Sequence, residues 1–390
     1  MTTFIHTADW HLGKPFAGVQ DPVKRARIQQ ERIDGLRRIR EAAVRRQASF
    51  VVVAGDLFDS PSPTKSLVAQ ALGVIGEFPM PVYAIPGNHD HGGTGSLWEQ
   101  PFFISEHRQR ATNLHLLLQP QPVEAGGAVI LPCPLLRRHD TTDPCGWVRE
   151  LDFDSAGKGP RIVLAHGSSG TFGSQADGED VAGPANVIAV DRLPADQIDY
   201  VALGDWHGCL QVGAKAWYSG THETDRFPKA GQRPGMVLAV TVSRGAAPTV
   251  EVVPTGRLDW LAATINLAED GPQRCEETLA ALTQAAGFDR CLVDLALTGR
   301  ASLEARRALD RVLESWALRL IRLDVRDAVA LEPSPEEVRQ LVERPGDPIV
   351  ARVAAELVAL SAGAGAEAAD ARAAIDILHG LCRRAAEEGA

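Results

Sequence analysis

The chain has 390 residues, 45% hydrophobic and 23% charged, more than a single core normally organises, since cores stop growing at roughly 250–300 residues. A formal net charge of −10 gives no global attraction to a polyanion, so a nucleic-acid partner would need a local basic surface or a second protein. No apolar run approaches the roughly 20 residues that cross a bilayer, and the six cysteines lack the CxxC spacing of a zinc ribbon or disulfide framework.

The first predicted strand, FIHTA, begins at Phe4 and leaves no room for a signal peptide, so a reducing cytoplasm is the expected location and no membrane association is expected. It ends in Asp9 and His11. Asp21 followed by Pro22 then has the form of a helix start, and Ile28, Ile33, Leu36, Ile39 and Ala43 supply an apolar stripe at helical spacing. The same helix is basic, with Lys24, Arg25, Arg27, Arg32, Arg37, Arg38, Arg40, Arg45 and Arg46 against Glu31, Asp34 and Glu41. A solvated helix face is the preferred reading; DNA contact, with Arg37 and Arg38 as the residues to test, is the other.

The stretch FVVVAGDLFD, 50–59, is the one around which the chain is organised. A short β-branched run reads as a buried strand, Gly55 as the turn out of it, and Asp56 and Asp59 as carboxylates at its end. A second helix follows the Ser-Pro-Ser-Pro segment, with Leu67, Val68, Ala71, Leu72 and Ile75 inward. The next strand, 82–85, ends in Gly87, Asn88, His89 and Asp90, and Ser96 with Glu99 has the spacing of a capping box opening a third helix. From 113 the pattern changes to strands: 114–118 and 123–131 form a hairpin or meander, 161–165 ends in His166, and DYVAL ends in Gly204, Asp205 and His207. The run 167–184 is rich in Gly, Ser and Asp, and loops of that length are functional or mobile. Residues 209–254 return to β patterning.

The fold class expected is α/β, two packed sheets flanked by helices over 1–256 in an αββα sandwich. Residues 257–332 then read as a small α+β domain of order β-α-β-α-β, and 333–390 as a helical C-terminus with helices near 335–360 and 366–388.

Five strands thus deliver metal-ligand side chains at their carboxyl ends, where ligands bind in open sheets. Seven of them, Asp9, His11, Asp56, Asn88, His166, Asp205 and His207, exceed what one ion needs. A central carboxylate shared between two cations, which clamp a phosphate and activate water, accounts for the number. The mixture of imidazole, carboxylate and amide oxygen suits manganese, iron or zinc better than calcium. His6, His107, His115, His139 and His379 have no such context and read as structural or solvated; His91 and His222 are left open.

The order Asp-x-His, GDxxD, GNHD, His and G-x-x-H resembles the calcineurin-like metallophosphoesterase superfamily. Within it, FIHTADWHLGKPF, VVVAGDLFDSPSP and the appended small domain resemble the SbcD-type DNA repair exonuclease subunits. The motifs cover about 4–256; beyond 257 the likeness is one of layout. The resemblance implies a two-sheet metallophosphoesterase core with two divalent ions, most suitably Mn2+. Asp9, His11, Asp56 and His207 would hold one ion, and Asp56, Asn88, His166 and residue 205 the other. His89 would protonate the leaving oxygen or stabilise the transition state, Asp90 would orient it, and Asp59 would steady a ligand. The chain departs from the pattern at Asp205, where SbcD-type proteins have histidine. The activity implied is DNA nuclease action in repair or end processing, with an SbcC-like SMC-type ATPase as partner through the C-terminal helices. A phosphodiesterase or phosphatase for small molecules or phosphoproteins is the alternative, and a non-catalytic scaffold a third. The oligomeric state, a homodimer included, is left open.

Overall fold

The computed structural model describes residues 1–170, 185–331, 334–344, 346–363 and 365–388. The Gly/Ser/Asp-rich run therefore lies outside the described residues from 171 onward, as does the expected boundary at 332/333. Two compact units are formed, Met1–Leu258 and Asp259–Ala390.

The first unit runs β1 (Thr2–Thr7), α1 (Pro22–Arg45), β2 (Phe50–Ala54), α2 (Lys65–Ile75), β3 (Val82–Ile85), α3 (Pro101–Arg110), β4 (Leu114–Leu116), β5 (Val123–Ala125), β6 (Ala128–Cys133), α4 (Gly146–Arg149), β7 (Arg161–His166), β8 (Tyr200–Gly204), β9 (Leu210–Gln211), β10 (Ala216–Tyr218), β11 (Met236–Val242) and β12 (Thr249–Pro254). One sheet has the order β12-β11-β1-β2-β3-β4, the other β5-β6-β7-β8-β10-β9. Strands β1 to β4 are mutually parallel, with Phe4 opposite Phe50 and Val51 opposite Val82. In the second sheet β6, β7, β8 and β10 are parallel. Antiparallel strands close the edges, β11 and β12 on the first sheet and β5 and β9 on the second.

Strand β2 shows why a continuous apolar run belongs at the centre. Its side chains alternate between two buried faces: Val51 and Val53 enter the core under α1, α2 and α3, whereas Phe50, Val52 and Ala54 enter the core between the sheets. There Phe50 stacks on Phe4 at 5.1 Å between ring centres, and Tyr200 of the second sheet meets Phe4 edge-on at 5.7 Å. His6 also joins the sheets: Nδ1 lies 3.0 Å from the Tyr200 hydroxyl and Nε2 3.2 Å from the Leu203 carbonyl. A third core covers the outer face of the second sheet, under the single turn of α4 and long connections. The expected αββα order is thus present, with one outer layer made largely of irregular chain.

Asp21 caps α1 by accepting from the Val23 and Lys24 amides. The third helix differs from expectation. Ser96 makes no capping bond, Leu97–Glu99 is a 3-10 turn, and α3 starts at Pro101, because proline is preorganised for the first helical position.

In the second unit, β13 (Asp259–Asn266), α5 (Leu267–Thr283), β14 (Cys291–Thr298), β15 (Arg300–Ala301), α6 (Leu303–Arg319), β16 (Arg322–Asp327) and β17 (Ala330–Leu331) precede α7 (Pro335–Val342), α8 (Pro348–Ser361) and α9 (Ala366–Glu388). β13, β14 and β16 form a parallel sheet in that order. The helix expected at 335–360 is two helices, because Asp347 caps a new start at Pro348, which has no N–H with which to continue the preceding helix. α7 is tied to α6: the Glu337 carboxylate accepts from the Glu304 amide at 2.8 Å while completing the capping box with Ser334. All six cysteines are buried and unpaired, and among the described residues no helix is long and apolar enough to cross a membrane.

Candidate metal centre

Because β1, β2 and β3 run parallel in one sheet and β7 and β8 parallel in the other, the loops that follow them open at a common edge. The backbone there is strained. Among non-glycine residues, Asp9 (φ 51°), His11 (φ 41°), Asp56 (φ 55°) and Asp205 (φ 101°) all have positive φ. Such values cost on the order of 1–3 kcal/mol each and cluster where surrounding structure and function demand them. Here all four carry predicted donors. Glycine supplies the clearance. A Cβ on Gly55 (φ 89°) would stand 2.2 Å from His166 Nδ1, and one on Gly87 would stand 2.1 Å from Asp56 Oδ1.

Three donor groups have all their ligand atoms within 4.8 Å of one another: Asp9, His11 and His207; His11, Asp56 and His89; and Asp9, Asp56 and His166. His166 Nδ1 lies 2.8 Å from the Ala54 carbonyl. A carbonyl only accepts, so Nδ1 carries the proton and Nε2 presents a lone pair. That lone pair faces Asn88 Oδ1 at 2.8 Å, Asp56 Oδ2 at 3.4 Å and Asp205 Oδ1 at 3.9 Å. His207 is arranged in the same manner. Its Nδ1 meets Asp225 Oδ2 at 3.0 Å, and its Nε2 faces His11 Nε2 at 3.2 Å. His11 Nε2 in turn lies 3.6 Å from Asp56 Oδ2, and its Nδ1 lies 3.2 Å from Asp59 Oδ1.

Oxygen and nitrogen lone pairs crowded in this way repel one another unless a cation lies among them. The titration behaviour has the same sense. Burial pushes the His11, His166 and His207 imidazoles below their ordinary value, which keeps them neutral. Burial, and then the neighbouring Asp56 charge, pushes Asp9 well above its own. Neutral imidazoles, carboxylates and an amide oxygen, with their outer atoms fixed by carbonyls and carboxylates, fit borderline divalent cations. The group could hold two ions that share Asp56.

All seven predicted donors are therefore brought together, with His89 and Asp59 beside them. The His89 amide donates to Asp56 Oδ1 at 3.0 Å, and its Nδ1 lies 2.9 Å from the Asp59 carbonyl. The same argument puts a proton on that Nδ1. Asp90, expected to orient His89, is placed differently: Oδ1 accepts from the Gly87 amide at 2.8 Å and Oδ2 from the Phe58 amide at 3.1 Å. Its carboxyl is buried and pushed up to about 7, chiefly by desolvation and then by Asp56. It joins the loops after β2 and β3, and the Asp59 carbonyl takes the orienting position on His89.

Arg37 and Arg38 face carboxylates. Arg37 pairs with Asp34 and Glu77, and Arg38 with Glu31, with buried Glu223 at 2.7 Å and with the Thr255 carbonyl. These contacts favour the structural reading of the basic helix. Arg32 is entirely buried and donates to the carbonyls of Asp9, Trp10 and Glu223. It clamps the loop that carries Asp9 and His11. His222, left open by the sequence, packs on Gly35 and hydrogen-bonds the Arg32 carbonyl at 2.8 Å; its role is structural.

Sequence reasoning missed Asp225 and its neighbours Lys14 and Arg226. The run 219–225 is polar yet buried throughout. The available signal was the strand end at Tyr218 followed by Gly220: β10 is parallel to β8, so the residues after it emerge at the donor edge, where Thr221 bridges to Ala8.

The sequence profile of the family described as calcineurin-like phosphoesterase matches residues 2–209, a span that contains all seven donors. A Bacillus subtilis (strain 168) protein named "Uncharacterized metallophosphoesterase YhaO" is 41% identical over 108 residues, which cover 25% of this chain and 26% of that protein. The matched segment thus spans about a quarter of the relative's length. A profile extending over more than half of the chain, on a fold whose two parallel strand sets open onto one nest of donors, makes this protein a member of the calcineurin-like phosphoesterase family.

Proposed function

We propose that the chain is a two-metal phosphodiesterase acting on DNA, the nuclease subunit of a repair or end-processing assembly of the SbcD type. The observation that carries the reading is the nest itself, in which His166 Nε2, Asn88 Oδ1 and Asp56 Oδ2 on one side and the facing imidazoles of His11 and His207 on the other crowd around one shared carboxylate. Divalent cations held there, manganese by preference, would polarise the phosphoryl oxygens and lower the pKa of water. In this reading Asp9, His11, Asp56 and His207 hold one ion, and Asp56, Asn88, His166 and Asp205 the other. His89, with its Nδ1–H donated to the Asp59 carbonyl, acts from the imidazolium form, delivering the Nε2 proton to the leaving oxygen and remaining as the neutral Nδ1–H ring.

A partner would supply the grip on DNA that an acidic chain lacks. Ile349, Val353 and Leu360 project from one face of α8, Ile377 and Leu381 from α9, and all are exposed. Their spacing suits docking against an amphipathic coiled coil, such as that of an SbcC-like SMC-type ATPase.

The test is a set of parallel assays with manganese on a DNA duplex with a free end, a cyclic nucleotide and a nitrophenyl diester. Cleavage of the duplex and the diester is expected. Turnover of the cyclic nucleotide with intact DNA would replace this reading with a small-molecule phosphodiesterase. Recovery of an SMC-type ATPase with the untagged protein is expected, and its consistent absence would remove the partner.

A further inference from the structure

A cleft of about 470 Å3 opens between α1 and the start of α2, a size within the roughly 300–1,000 Å3 range of small-molecule sites. It borders the donor nest. Leu12 and Gly13, which follow His11, and Ser60, which follows Asp59, belong to its wall. Backbone bonds lock these two loops together, from the Leu12 amide to the Leu57 carbonyl at 2.9 Å and from the Asp59 amide to the Leu12 carbonyl at 3.1 Å. The cleft is thereby fixed relative to His11 and to the Asp59 carbonyl that meets His89 Nδ1. Gly13 approaches Leu67 of α2 so closely that a Cβ would stand 2.5 Å from Leu67 Cδ2.

The lining is neutral. Among the described residues no acidic or basic side chain lines the cleft, which leaves a phosphate or a metal ion nothing to pair with there. Leu12, Ile33 and Leu67 supply apolar surface, and Gln29, Gln30 and Gln70 supply carboxamides. Those carboxamides are held in place: Gln29 Nε2 donates to the Lys14 carbonyl at 3.0 Å, Gln30 Nε2 to Asp34 Oδ1 at 3.1 Å and Gln70 Nε2 to Gln30 Oε1 at 3.0 Å. Gln29 Oε1 and Gln70 Oε1 accept no hydrogen bond among the described residues.

We infer that this cleft is a nucleoside subsite, which takes the base and sugar on the His89 side of the scissile phosphate and favours a base bearing an exocyclic amino group. A base has flat apolar faces and a polar edge, and the cleft offers apolar side chains for the first and carboxamides for the second. Carboxamides read base edges through paired donors and acceptors, as in the glutamine–adenine pair; here the open groups are acceptors, so the edge must donate. The inference deepens the DNA reading by naming the part of the substrate that a neutral surface beside the metal centre recognises.

The experiment is calorimetric titration of the full chain with 2′-deoxyadenosine and with purine 2′-deoxyriboside, which lacks the amino group. Neither carries a phosphate, so binding requires no hydrolysis. Deoxyadenosine is expected to bind wild type about fivefold more tightly than the amino-free nucleoside, the size of one hydrogen bond. Gln70→Leu is expected to erase that difference. Ala26→Trp, which places a ring in the cleft from an exposed position on α1, is expected to weaken both nucleosides by about tenfold or more, with melting temperature and manganese content at wild-type levels. No binding of deoxyadenosine to wild type, or wild-type affinity in Ala26→Trp, would overturn the subsite. Equal affinity of wild type for the two nucleosides, or a difference that survives Gln70→Leu, would overturn the amino preference. The DNA assay separates this from the broader reading: deoxyadenosine binding without DNA cleavage leaves the subsite and removes the nuclease, and cleavage without nucleoside binding does the reverse. Where DNA is cleaved, deoxyadenosine is expected to inhibit competitively; noncompetitive inhibition would detach the cleft from the substrate path.

Discussion

Asp205 stands where the SbcD-type pattern that the sequence resembles has histidine, and its carboxylate lies 3.9 Å from His166 Nε2 while its amide donates to Asp9 Oδ1. In the proposed reading three carboxylates, Asp9, Asp56 and Asp205, would face the cations, which would favour manganese or magnesium over zinc. Asp205→Ala is expected to lose one ion per chain and to lower turnover on the order of a hundredfold or more; two ions with near-normal turnover would remove Asp205 from the ligand set. Asp205→His is expected to keep activity with a shift toward zinc. A second prediction concerns His6, whose value burial pushes down to about 3. Between the ordinary 6.5 and that value, the unfolded chain takes up a proton that the folded chain refuses, so stability falls as pH falls below 6.5. The loss attributable to His6 from about pH 7 to about pH 5 is about 2 kcal/mol, and denaturant titrations of His6→Gln should show a correspondingly shallower pH dependence. At this scale the seven donors were legible because each directly follows an apolar run. Asp225 and Arg32 were not, since their partners lie 18 and 191 residues away in sequence or are backbone carbonyls.

The helix α1 shows what an element adds beyond its composition. Its eight basic residues, with Arg46 at the C-cap, look like a DNA surface as a string, yet the fold directs Arg32 into the core and Arg38 onto buried Glu223, which also accepts from the Arg257 and Leu258 amides. Breaking a buried pair is strongly destabilising. Arg38→Glu is therefore expected to cost on the order of 3 kcal/mol of stability in chemical denaturation. A stable variant with weakened, less salt-dependent DNA binding would restore the helix to the DNA interface. Helix starts were legible where side-chain chemistry was local, as at Asp21. They were misread at Ser96, where a capping-box spacing has no capping bond, and at Asp347, where proline restarts the helix. The loop glycines illustrate the opposite limit: Gly87 is readable as a turn, but not as the clearance for Asp56.

At the scale of the molecule, the succession of an α/β half, a β half and a restart near residue 255 carried over because apolar period and length survive in the sequence. The pairing of β10 beside β8 did not, since strand order is set by contacts remote in sequence. All proposed ligands lie in Met1–Leu258, whereas Glu337 caps α6 within the second unit. A truncation after Leu258 is thus expected to retain metal and diester hydrolysis while losing partner binding. A cut between α6 and α7 is expected to destabilise the second unit by about 1 kcal/mol through loss of that cap. If the two sheets build one two-metal site around the shared Asp56 carboxylate, manganese counting on wild type and Asp56→Asn, with nitrophenyl diester turnover on the same samples, is the decisive measurement. Two ions per wild-type chain are expected, and at most one in the variant with turnover lost; two ions and undiminished turnover in Asp56→Asn would rule out the shared-carboxylate site.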